Sequence, residues 1–336
     1  MMAAVALFLA GCRHGGASRE HDGSAGAVAV LRIGYQRGDP LNLLKARGTL
    51  DRTLAARGIR VEWSPFPAGP QLLEALSVGS IDIGETGESP PIFAQAAGSD
   101  MVYVANIPAT GGNGEGEAII VPQNSPIRTP ADLRGKRIAF QKASSAHNFV
   151  IQVVERTGLS YKDITPVYLA PPDARPAFES GAIDAWAVWD PVLAVAQKRT
   201  NARVLVNAKG ILTAGDFYLA PRKFSLEHPE LLRVTLEQVR EAGIWAFDHK
   251  PDAARLLSAS TGVDVDTLLL LVSRLHRNNV RPLGAEVVRA QQTVADNFFR
   301  IGLLPRKLDI RGALLQPAQY AAIEPPGENS ADSRAN

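Results

Sequence analysis

The chain has 336 residues, 36 of them Lys or Arg against 34 Asp or Glu, and a single cysteine. That length suits two domains of ordinary size, and a near-neutral balance without a basic stripe among aromatics argues against nucleic acid as a partner. A lone cysteine excludes an internal disulfide.

The chain opens on MMAAVALFLA, an apolar run too short to span a bilayer as a helix. Small residues and then Cys12 follow, as at a signal-peptide cleavage site. Leu9-Ala10-Gly11-Cys12 is similar to the lipobox of bacterial lipoproteins, whose cysteine becomes the lipidated first residue of the mature chain. A thioether-linked lipid at Cys12 accounts for the lone thiol. Residues 1–11 therefore read as a signal peptide, and residues 12–29, rich in Gly, Ser and Ala, as a flexible tether.

From residue 30 onward, short β-rich runs alternate with longer amphipathic ones. Strands are expected over 30–35, 61–66, 81–84 and 101–105, with helices over 41–57, 69–78 and 89–97. A second set has strands over 118–121, 137–140, 165–169, 183–188 and 202–206, with helices over 148–157, 174–180 and 191–198. The alternation predicts an α/β fold with mostly parallel sheets flanked by helices. The glycines within 108–116 mark a first crossover between two lobes, and 213–221, with strand character over 217–220, marks a second. Helices over 229–247, 251–260, 265–275 and 285–301 then return to cover the first sheet. One lobe comprises 30–112 and 215–310, the other 113–214. Residues 311–336 form a tail, polar and disordered from residue 324 onward. No internal repeat stands out.

Ligands of open parallel sheets lie outside the carboxyl ends of the strands, against helix N-termini. That rule selects Gln36, Thr86-Gly87, the run from Ser144 to Asn148, and Trp189. Ser144, Ser145, His147 and Asn148 gather polar side chains where a helix begins; the plainer assignment is that a serine caps the helix. Thr86 offers a hydroxyl and Gly87 a close backbone approach, or the pair simply turns before a helix capped at Ser89. Asp190 before Pro191 reads as an N-cap, and Trp189 as an apolar wall or a core residue. Arg175 offers a counter-charge, although a solvated first-turn arginine is the simpler assignment. His147 is a donor to an anion. The other five histidines make no metal-ligand spacing with it. There is no G-x-S-x-G, Walker or H-E-x-x-H motif, so neither an enzyme activity nor a cofactor is expected.

Residues 34–98, from GYQRGDPLNLL to ETGESPPIFAQAAG, closely resemble the aliphatic-sulfonate-binding proteins of ABC importers. So do DLRGKRIAFQKASSAHNFV, YLAPPDARPAFESGAIDAWAVWDP and GDFYLA, in order along the chain. The resemblance implies a type II periplasmic-binding-protein fold, an exported monomer that closes over an alkanesulfonate and docks on a membrane permease driven by an ATPase. It places the ligand at Gln36, Thr86, Gly87, Ser144, Ser145, His147, Asn148 and Trp189. Taurine, nitrate or a thiamine-precursor pyrimidine are the alternative solutes. A desulfinase-like enzyme is the alternative class, but its cysteine nucleophile has no counterpart beyond Cys12. Glu85 and Glu88 flank Thr86 and depart from the expectation for an anion site: they either point away or meet a cationic group on a zwitterionic ligand such as taurine.

Overall fold

The computed structural model describes residues 30–109, 115–200, 202–277 and 279–323. The segments expected to be a signal peptide and a tether, with Cys12, residues 110–114 and the residues from 324 onward lie outside the described residues. The first lobe begins with β1 (Val30–Gln36), α1 (Pro40–Arg47), α2 (Thr49–Ala55) and β2 (Arg60–Phe66). It goes on through α3 (Gly69–Ser77), β3 (Ile83–Thr86), α4 (Ser89–Ala96) and β4 (Met101–Ile107). The second lobe runs β5 (Glu117–Pro122), β6 (Arg137–Phe140), α5 (Ser145–Arg156), β7 (Thr165–Tyr168), α6 (Pro171–Glu179), β8 (Ala185–Trp189), α7 (Val192–Arg199) and β9 (Ala202–Asn207). The chain returns as β10 (Asp216–Pro221) and ends in helices α8 (Arg222–Glu227), α9 (Pro229–Asp248), α10 (Lys250–Thr261), α11 (Val265–Ser273), α12 (Ala285–Arg300) and α13 (Pro317–Tyr320).

The two sheets have one topology, β2-β1-β3-β10-β4 in the first lobe and β7-β6-β8-β5-β9 in the second. In each, four strands point one way and one is reversed: β10 pairs antiparallel with β3 and β4, and β5 with β8 and β9. The reversed strand is in both cases the one arriving from the other lobe. A chain leaving the carboxyl edge of one sheet enters its neighbour from the carboxyl edge too, and so must run backwards through it. The sheets are therefore mixed, and their carboxyl edges face each other.

Period-two side-chain alternation puts helices on both faces. In β4, Val102 and Val104 join the core under α1, α9 and α10, whereas Met101 and Tyr103 join the core under α3, α4 and α12. In the second lobe, Ile119 and Val121 pack with α5 while Ala118 and Ile120 pack with α6 and α7.

The lobes also share a detail that was too short to register as a repeat in the sequence. Arg32 of β1 binds the Asp82 carboxylate through its backbone N–H (2.8 Å), Nε and Nη2, and its Nη1 donates to the Gly79 carbonyl. Arg137 of β6 makes the same contacts with Asp184 and Gly181. In each lobe this arginine ties the first core strand to the turn that launches the next.

Two expectations change. The helix expected over 41–57 is two helices, because Gly48 adopts φ 62° and its N–H closes α1 on the Leu44 and Lys45 carbonyls. Residues 311–323, expected as the start of a tail, dock on the first lobe: Ile323 is fully buried and the Tyr320 hydroxyl donates to the Val104 carbonyl at 2.7 Å.

Candidate functional site

A cleft of about 250 Å³ opens between the two carboxyl edges, and both crossovers border it. From the first lobe Gln36, Thr86 and Gly87 line it; from the second, Ser144, Ser145 and Trp189.

The junction between β6 and α5 is built to leave amides free. Ser144 takes the N-cap position, but its hydroxyl donates to the Gln141 carbonyl at 2.8 Å and accepts nothing from the helix. Neither serine caps α5 through its side chain, contrary to the plainer assignment. The start of α5, with the positive end of its dipole, borders the cleft through Ser144 and Ser145, while the His147 N–H is taken by the Ser144 carbonyl at 3.0 Å. The Ser145 hydroxyl reaches Glu117 Oε1 at 3.1 Å.

His147 does not reach the cleft. Helix α5 begins at Ser145, three residues before the expected start, and at about 100° per residue His147 lies about 200° around from Ser145. It is fully buried among Phe93, Phe140, Tyr161, Tyr168 and Phe298. Burial, helped by the Lys142 charge, pushes its pKa down to about 3. Its Nδ1 accepts the Ala143 N–H at 3.2 Å, so the proton sits on Nε2, which faces the Tyr161 hydroxyl at 2.9 Å. Ala143 has φ 63°, a left-handed conformation that an L-residue adopts at a cost of about 1–2 kcal/mol. His147 thus fixes, from behind, the turn that aims Ser144 and Ser145. Asn148 is also buried; its Nδ2 donates across the lobes to Glu88 Oε1 at 2.9 Å.

On the facing wall Thr86 is fully buried, its side chain filling the space where Gly69 has no Cβ. Gly87 carries the close approach: a Cβ there would lie 2.9 Å from Ser145 Cβ and 3.5 Å from Asp216 Oδ1. The two strand-to-helix junctions therefore touch, with Gly87 between them. Gln36 donates from Nε2 to the Glu85 carbonyl at 3.2 Å, and its buried Oε1 has no partner among the described residues. Trp189 packs partly on the second-lobe core and partly borders the cleft. Pro191 rather than Asp190 takes the N-cap position of α7, because the helix starts one residue later than expected; Asp190 just before it accepts the Ala194 N–H at 3.0 Å and pairs with Arg274 across the lobes at 2.8 Å. Arg175 stays at the surface with Glu179.

Sequence reasoning missed Arg37 and three of the cleft's acids, Asp39, Glu117 and Asp216. Arg37 borders the cleft, exposed, and forms no ion pair among the described residues. It directly follows Gln36 at a strand end, which was the available signal. Asp39, Glu85, Glu88, Glu117 and Asp216 all line the cleft, and none has a Lys or Arg within ion-pair distance among the described residues. Of these only Glu85 and Glu88 had been singled out. Burial pushes Glu88 and Asp39 up to about 7 and Asp216 to about 6. Glu85 is raised well above the usual carboxylate range, first by burial and then by the charges of Asp216 and Asp39. Glu117 is raised likewise, by burial and by Glu88 and Asp216.

Residues 54–254 match the family model described as NMT1/THI5 like. A protein of Escherichia coli (strain K12) named as an aliphatic sulfonates-binding protein is 41% identical over 291 residues, covering 86% of this chain and 90% of its own. One of the same name from Bacillus subtilis (strain 168) is 34% identical over 317 residues, covering 93% and 92%. The solved alkanesulfonate-binding protein SsuA of Xanthomonas axonopodis pv. citri, bound to MOPS, superposes with a TM-score of 0.82 at 40% identity, covering 86% of this chain and 99% of that one.

Proposed function

The chain belongs to the NMT1/THI5-like family and, within it, to the aliphatic-sulfonate-binding proteins, and from that membership we propose that it is the solute-binding component of an ABC importer, capturing aliphatic sulfonates between its lobes. The observation that carries this reading is the α5 N-terminus, which has no side-chain cap and opens on the cleft against Gly87. A sulfonate spreads one charge over three oxygens and holds no proton at neutral pH, so it needs donors only. The free α5 amides, the Thr86-Gly87 junction and Gln36 Nε2 are neutral donors at that place, the Ser144 and Ser145 hydroxyls border it with their protons given to Gln141 and Glu117, and Arg37 adds a charge at the rim. Trp189 offers an apolar surface for the alkyl chain. His147 holds the loop and is not part of the ligand set.

Because donors come from both lobes, ligand binds the closed form best and shifts the population toward it. The closed form then docks as a monomer on a permease and its ATPase. We place the protein on the periplasmic side, anchored by a lipid on Cys12, and acting without a catalytic step. Mass spectrometry of the membrane fraction checks the anchor: diacylglycerol on Cys12 is expected, and Cys12→Ser should release the protein.

Thermal shift against alkanesulfonates, nitrate and pyrimidines tests the ligand class. Stabilisation by alkanesulfonates is expected; stabilisation by a pyrimidine alone sinks the reading.

A further inference from the structure

The lobes meet on either side of the cleft, and the two rims are held in different ways. On the rim beside α5, Gly87 lies against Ser145, the Asn148 amide donates to Glu88, and Phe93 and Phe298 pack on the His147 ring. None of these contacts involves a cation. On the other rim a Cβ at Gly38 would lie 3.0 Å from Pro191 Cδ, and helices α7 and α11 pack together. Here Arg274, the residue that closes α11, crosses from the first lobe to the second. Its Nη1 donates to both Asp190 oxygens, at 3.0 and 2.8 Å, and its Nη2 donates to Gln197 Oε1 at 2.7 Å.

Burial sets this pair apart. The Arg274 side chain is 8% exposed and that of Asp190 12%. The ion pairs Arg199–Asp264 and Arg300–Glu155 also join the lobes, but they lie within reach of solvent, which screens them. A buried ion pair adds little as glue, because desolvation cancels much of its attraction; removing one partner, however, strands the other charge. The consequence falls on one conformation. Burial pushes the Asp190 carboxyl group up, and Arg274 counters it. Without Arg274, closing the lobes buries that carboxylate alone, whereas water solvates it when they open.

Position gives the pair its role. Asp190 directly follows Trp189, and both border the cleft. The Asp190 N–H donates to the Gly116 carbonyl at 2.8 Å, at the end of the first crossover, and its Oδ1 accepts the Ala194 N–H. Asp190 is thus fixed within its own lobe and presents its carboxylate to the other. We propose that Arg274 is a positioning residue for ligand capture: it latches the first lobe to the turn that carries Trp189 and Asp190, holds Trp189 at the cleft, and must let go before a ligand leaves. It acts through Asp190 and does not touch the sulfonate. The kinetic consequence rests on the sulfonate reading above; the latch rests on the two lobes alone.

Stopped-flow tryptophan fluorescence with ethanesulfonate measures association and release separately. Arg274→Gln should release the ligand at least about tenfold faster and change association by less than about threefold, since the latch forms after encounter. Asp190→Asn should also release it faster. The Arg274→Gln/Asp190→Asn double variant should release it more slowly than Arg274→Gln alone, because no stranded carboxylate remains. If Arg274 instead served the sulfonate as a counter-charge, Asp190→Asn would bind tighter and the double variant would be no better than Arg274→Gln; either result overturns the latch. Arg274→Lys keeps the charge but cannot bridge both partners, so it should lie between wild type and Arg274→Gln, and it carries the test if the glutamine variant does not fold. Small-angle scattering needs no ligand: the ligand-free Arg274→Gln or Arg274→Lys chain should have a larger radius of gyration than ligand-free wild type. Equal radii, or an unchanged release rate in every variant, overturn the proposal. If no alkanesulfonate binds, the sulfonate reading falls and the scattering alone decides the latch.

Discussion

The junctions that begin α4 and α5 face each other across the cleft and differ in what they offer. At α5 the first turn is Ser145, Ala146 and His147, all with N–H groups, and the cap hydroxyl is spent elsewhere. At α4 the first turn contains Pro90 and Pro91, which remove two of the four amides a helix start would present, and Glu88 precedes it with a buried carboxyl group. Both are strand-to-helix turns at a carboxyl edge. One offers backbone N–H groups to the cleft, and the other, with Glu85, Glu88 and Asp216 around it, offers carboxyl groups. The difference teaches that a helix N-terminus is not a site in itself; its first-turn residues decide the sign of what it attracts.

The comparison can be broken most severely from the α5 side. Ser145→Asp puts a carboxylate among the donors, and sulfonate affinity should fall by more than about a hundredfold in calorimetry with the thermal midpoint little changed. Unchanged affinity would remove α5 from the ligand site.

Filling the contact between the junctions should cost less. Gly87→Ala sets a methyl group against Ser145, and ligand affinity should drop about tenfold, with a stability loss of about 1–3 kcal/mol in urea from overpacking. Wild-type affinity in this variant would mean that the junctions do not close on the ligand.

Behind α5, His147→Ala separates support from contact. Loss of the buried ring and its two hydrogen bonds should cost about 2–4 kcal/mol of stability, with a smaller loss of affinity than Ser145→Asp. In the wild-type chain the His147 ring should remain neutral by NMR from pH 8 to pH 5, since its pKa is about 3. A ring that titrates near 6.5 would place it in solvent.

The smallest effect is that of pH on the ligand-free protein, and the two junctions contribute with opposite signs. Glu88 and Asp39, raised to about 7 from ordinary values of 4.5 and 3.8, bind protons in the folded state that the unfolded chain releases. Their contribution is greatest at low pH and is lost as pH rises through about 7, so stability should increase as pH falls from 8 to 6.5, by roughly 1 kcal/mol. Below its ordinary 6.5, His147 opposes the trend, because its folded form refuses a proton that the unfolded chain accepts. Thermal midpoints across this range check both signs: Glu88→Gln should flatten the upper part of the curve, and His147→Ala should steepen the lower part.

Much of this was legible in the residues. The strand runs, the return of the C-terminal helices and the crossover near 213–221 follow from hydrophobic period, because each element must bury one face or two. The strand-end rule then led to Gln36, Thr86, Gly87, Ser144, Ser145 and Trp189, all of which border the cleft. It erred at His147, where starting the helix three residues late hid the rotation that turns the ring into the core. Asp39, Glu117 and Asp216 gave no sign in the sequence, since each is an ordinary polar residue at a strand or helix end.

The sequence by itself determined the elements and the loops that cap them, because period and turn chemistry act over a few residues. Only the tertiary structure decided which of those loops meet. Residues 39, 85, 117 and 216 are far apart in the chain and become neighbours only when the reversed strands β5 and β10 bring the carboxyl edges of the two sheets face to face. A charge cluster assembled that way depends on distances that no local pattern encodes.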